Sequence, residues 1–95
     1  MSIQNEKETE PDLELETCLT IEQLGLFLSL LNKTDLLAVK PLDKFFALVA
    51  NHVSTLRSAK YAPRSLEPGY YTPQPASLKA IKDKLFDVFN ELKSY

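Results

Sequence analysis

The stretch Ile21-Glu22-Gln23-Leu24-Gly25-Leu26-Phe27-Leu28-Ser29-Leu30-Leu31 is apolar on almost every side when wound into a helix. Thr20 and Gln23 supply the T-x-x-Q pattern of a capping box, which fixes the start of that helix. A helix of this kind has no face to give to water, so it lies centrally in a bundle or in a subunit interface. The chain has only 95 residues to shelter it. A domain of that size buries roughly two-thirds of its unfolded surface, enough for one small core. Help from a second surface is therefore expected, with Leu26, Phe27 and Leu30 as contact residues.

The fold class follows from the choice of aliphatic residues. There are 17 Leu against 3 Ile and 4 Val. Leu keeps its rotamer freedom in a helix, whereas β-branched side chains lose it and favour strands. The 2 glycines leave little material for hairpin turns. The expectation is an all-α fold: a small bundle of three main helices and one short helix, over about 20–31, 35–39, 42–60 and 77–93. The third of these carries an apolar stripe at Leu42, Phe45, Phe46, Val49, Val53 and Leu56. In the last, Leu78, Ile81, Leu85, Val88, Phe89 and Leu92 fall within an arc of about 100°. Phe86 lies off that stripe and is taken as a contact residue. The expected core is Leu24, Phe27, Leu28, Leu31, Phe45, Val49, Val53, Leu56, Ile81, Leu85, Val88 and Leu92.

Two segments read differently. Residues 1–16 carry a net charge of −5, while residues 17–95 carry +3. So acidic a tail, with Leu13 and Leu15 among its few apolar residues, cannot offset chain entropy and is expected to be disordered when free. Leu13 and Leu15 between carboxylates are candidate anchors for a partner. Residues 61–75 hold four of the six prolines and three of the four tyrosines, and a long loop is expected there. Tyr offers a large contact area with few rotors, which makes Tyr70, Tyr71 and the neighbouring Arg64 candidate partner contacts.

Chemistry-bearing residues are few. One Cys (Cys18) and one His (His52) permit no internal disulfide and no Cys/His metal site on their own. There is no P-loop, no H-E-x-x-H, no G-x-S-x-G and no C-x-x-C. No catalytic residue, cofactor or metal ligand is expected, and the chain is read as a non-enzyme. No run approaches the ~20 apolar residues of a membrane span, and no signal peptide opens the chain. A cytoplasmic setting is expected.

Two short resemblances bear on function. Leu19-Thr20-Ile21-Glu22-Gln23-Leu24 with Phe27-Leu28 resembles the opening helix of helix-turn-helix domains, which implies nucleic-acid binding. The residues that follow, Leu36-Leu37-Ala38-Val39-Lys40-Pro41, offer a base edge almost nothing, and the net charge is −2. His52-Val53-Ser54-Thr55-Leu56-Arg57-Ser58 loosely resembles the helix of histidine phosphotransfer domains, which implies phosphoryl transfer through His52. The family's basic residue stands nearer the His, and its glycine is absent here. The preferred reading is a protein–protein interaction module, an adaptor or regulatory subunit, acting as a homodimer or within a hetero-complex. Helical surfaces and the Tyr/Pro segment would carry the contacts.

Overall fold

A computed structural model describes residues 14–38, 40–58 and 60–95. The chain is mostly helical, as the leucine-rich composition requires, with four α-helices among the described residues and one very small sheet. The helices are α1 (Ile21–Lys33), α2 (Leu42–His52), α3 (Glu67–Tyr71) and α4 (Pro75–Lys93), with a 3-10 turn at Pro63–Leu66 ahead of α3. The expected disorder of the acidic tail lies, from residue 1 to 13, outside the described residues.

The start of α1 is the one read from Thr20 and Gln23. The Thr20 hydroxyl accepts from the Gln23 amide at 3.1 Å, and the Gln23 side chain accepts from the Thr20 amide at 3.2 Å. Its end explains why the short helix expected over 35–39 is absent from the described part of that span. Asp35 takes the left-handed conformation (φ 62°). The Leu36 amide then donates back to Leu31 O at 2.9 Å, and the Asp35 amide to Asn32 O at 3.2 Å. This Schellman closure uses up the donors that a new turn would need.

The helix expected over 42–60 stops at His52. Val53–Ser54 instead forms β2, paired in parallel with β1 (Leu15–Glu16) in the register Leu15 to Val53 and Glu16 to Ser54. A β-branched residue followed by Ser and Thr is poor helix material. The Thr55 hydroxyl then donates to Ser58 O and accepts from the Ser58 amide, which closes a turn in place of a further helical turn. The pairing continues as Leu56 N–H donates to Leu19 O at 2.8 Å. Leu15 and Glu16, placed in the tail by composition, are thus strand residues.

The Tyr/Pro segment is not a plain loop. Pro63 opens the 3-10 turn, Pro68 stands in the first turn of α3, and Pro75 is the first residue of α4. Each proline sits where its missing N–H is no loss. Pro63, Pro68 and Pro75 therefore start helical turns, so the segment is partly helical where a long loop is expected. For the same reason the last helix begins at Pro75, not Ser77.

The core is Leu24, Leu28, Phe46, Val49 and Leu66, with Leu66 wholly buried. Leu19, Ile21, Leu31, Phe45, Val53, Tyr61 and Tyr70 pack around it. α3 lies across α1 so closely that the chain's two glycines are obligatory. A Cβ on Gly25 would strike Leu66 O and approach Tyr70 N to 3.0 Å; one on Gly69 would strike the Glu22 backbone. Of the expected core, Leu56, Leu85, Val88 and Leu92 are exposed. Leu56 lies beyond the end of α2, and the other three lie on the part of α4 past its first two turns, where Ser77 and Ile81 are buried.

Candidate functional site

α4 has a clear apolar stripe and nothing in the described chain to cover most of it. Every residue from Lys82 onward is exposed. Phe86, Val88, Phe89 and Leu92 are 54–64% exposed. Beneath the N-terminal half, Ile81 is 3% exposed and anchors the helix against α1. The anchor is reinforced at the base, where the Gln74 amide donates to Glu22 Oε2 at 2.5 Å. That contact ties the start of α4 to the first turn of α1 and sets a carboxylate beside a helix N-terminus, where negative charge is favoured.

A groove of about 620 Å³ opens on one side of this crossing. Its floor is Leu26 and Leu30 of α1, and its wall is Leu78, Ile81, Leu85, Phe86 and Phe89 of α4. Lys82 is its one charged lining residue. A second groove of about 500 Å³ lies on the other side, where Leu19, Phe27 and Cys18 face Ile81, Lys84, Leu85 and Val88. The two grooves and the exposed end of α4 form a continuous apolar surface with few polar groups. It can bury hydrocarbon, but it offers no converging set of acids, bases or nucleophiles.

Of the residues singled out by sequence, Leu26, Leu30 and Phe86 come together in the larger groove, and Phe27 lies in the smaller one. Leu26 is buried and forms floor, while Phe86 is open. The others are placed elsewhere. Leu15 is exposed on β1, and Arg64 is exposed in the 3-10 turn. Leu13 lies outside the described residues. Tyr70 is built into the fold: Asn32 Nδ2 donates to its hydroxyl at 2.9 Å, and its ring meets Phe46 edge-on with centroids 5.3 Å apart. Tyr71 stays exposed, edge-on to Tyr70 at 5.0 Å. Leu78, Lys82, Leu85, Val88 and Phe89 line the grooves as well, and the sequence reading does not single them out as contact residues. Their periodicity marked an apolar face, but periodicity alone does not say whether the cover belongs to the same chain.

The remaining chemical candidates are solitary. His52 is the last residue of α2 and is exposed, and Cys18 is an exposed free thiol. Among the described residues no three of His, Cys, Asp and Glu gather where a metal ion could be held. Among them, too, no helix is long and apolar enough to cross a membrane. Among the described residues, Tyr61 sits in a perturbed environment. Its hydroxyl donates to Val53 O at 2.5 Å, and burial, with help from the Glu14 carboxylate, raises its pKa above the usual 10.0. That contact closes the end of α2 and is structural. No protein-family model, no characterised protein and no solved structure matches the chain.

Proposed function

We propose that this protein is a non-enzymatic docking module, an adaptor or regulatory subunit, whose partner is a protein that lays an amphipathic helix along α4. The observation that carries the reading is the bare apolar face of α4 from Leu85 to Leu92, continuous with a groove floored by Leu26 and Leu30. Soluble chains rarely leave an apolar patch of this kind open unless something docks there. Helix-in-groove recognition uses anchors at helical spacing, as Leu85, Phe89 and Leu92 are. Phe86 and Phe89 supply the aromatic anchors that dominate interface energetics.

Charge separates this from other uses of an apolar helix. From Lys82 to Lys93 the helix holds three lysines against Asp83, Asp87 and Glu91. A balanced helix is poorly attracted to phosphate backbones or anionic headgroups, which demand an excess of Lys and Arg. The setting we assign is the cytoplasm, where the lone thiol of Cys18 stays reduced.

The test compares the wild-type chain with a Phe86→Glu/Phe89→Glu variant. Both side chains are exposed, so the variant should keep its helicity and unfold within about 0.5 kcal/mol of the wild type. Native mass measured on the tagged chain from the cells that express it should fall to that of the free chain in the variant only. An assembly of unchanged mass in the variant refutes the reading.

A further inference from the structure

We infer that the helix docked on α4 is α4 of a second copy of this chain, running antiparallel across a two-fold axis. The inference rests on the docking reading above and adds the occupant, its direction and its register.

The argument starts from spacing. Leu78, Leu85 and Leu92 recur at seven-residue intervals, with Ile81 and Val88 interleaved three residues on. This is the seam of a helix pair. Lys84 and Glu91 stand immediately before Leu85 and Leu92, so they occupy the same flank of that seam, one heptad apart. Both are exposed. In an antiparallel pair, residues of one flank face residues of the same flank on the other copy. In a parallel pair, Lys84 would instead face Phe89, and no ion pair would form across the seam.

Register follows from the same two charges. Setting Leu85 against Val88 of the second copy brings Lys84 within about half a turn, roughly 3 Å along the axis, of Glu91 on the other helix. The two-fold axis makes this contact twice. Sliding the pair by one heptad toward the N-terminus sets Lys84 against Lys84. Sliding it one heptad toward the C-terminus sets Glu91 against Glu91. Like charges at either neighbouring register oppose it, and opposite charges favour the register between them. In that register Leu92 of one copy comes level with Ile81 of the other, which its own chain already buries, so the new contact is made by the exposed Leu85, Val88, Phe89 and Leu92. The aliphatic stem of Lys82 lies over Phe89 of the second copy, a use to which long basic side chains are suited.

The experiment is sedimentation equilibrium on the full chain, wild type and variants, across a wide concentration range. The wild-type mass should rise from 10.8 kDa toward twice that value. Lys84→Glu and Glu91→Lys should each raise the dimer dissociation constant by about tenfold, because each turns two attractions into two repulsions. An equal mixture of the two single variants should restore the dimer, as should the double swap in one chain. Circular dichroism on every variant checks that α4 remains helical. A wild-type chain that stays at 10.8 kDa throughout overturns the inference. So does a dimer indifferent to both substitutions, which would use another face or register. In either case the docking reading survives only if the assembly formed in cells still depends on Phe86 and Phe89.

Discussion

Gly25 and Gly69 are the chain's only glycines, and each stands where another segment's backbone touches a helix. In both cases the obstacle to a Cβ is main chain, which cannot swing aside as a side chain would. Gly25→Ala and Gly69→Ala should therefore each destabilise by about 2–3 kcal/mol, the upper range for overpacking, as measured by urea unfolding. Neither site was legible as a crossing point from sequence, because a single glycine in a helical run carries no mark of what passes over it. Tyr61 makes a second prediction. Its pKa is raised in the folded chain by burial and then by Glu14. The unfolded chain therefore ionises first, near 10.0, and stability is full below that pH and lost as pH rises beyond it toward the folded value. Tyr61→Phe should remove that alkaline loss while costing about 1 kcal/mol at neutral pH through the hydrogen bond to Val53 O. Urea titrations at neutral and alkaline pH read both effects.

Elements were legible where local chemistry alone decides them. The capping box named the first residue of α1, and helical periodicity found α2 and α4. Errors gathered where a segment's fate depends on a distant one. Val53–Ser54 leaves the helical stripe because Leu15–Glu16 pairs with it across a long stretch of sequence. Proline content in residues 63–75 shows what the chain forbids, whereas the positions of Pro63, Pro68 and Pro75 at helix starts show what it permits. Within α4, position divides residues that look alike. Ile81→Ala should cost about 2–4 kcal/mol, because it opens a hole under a buried anchor. Leu92→Ala, on the exposed end, should leave monomer stability within about 0.5 kcal/mol. Thermal unfolding at low concentration distinguishes them. Equal losses at the two sites would mean that the end of α4 is covered from within the chain.

For the molecule as a whole, the apolar helix α1 is mostly sheltered by its own chain. α3 crosses it at Gly25, and α4 crosses near Leu26 and Leu30. The unsheltered surface lies on α4, whose periodicity alone assigns its stripe to the core. Amphipathic periodicity reports that a face seeks cover; in a chain too small to supply it, the proposed docking function has that cover come from outside. The most direct measurement of this claim is amide hydrogen exchange on the full chain at low and high concentration, resolved by segment. Protection of α1, α2 and the 3-10 turn should be independent of concentration, while residues 82–93 should exchange readily when dilute and become protected as concentration rises. Strong protection of residues 82–93 in the dilute chain would contradict it, and protection at no concentration would assign the cover to a different protein in place of a second copy.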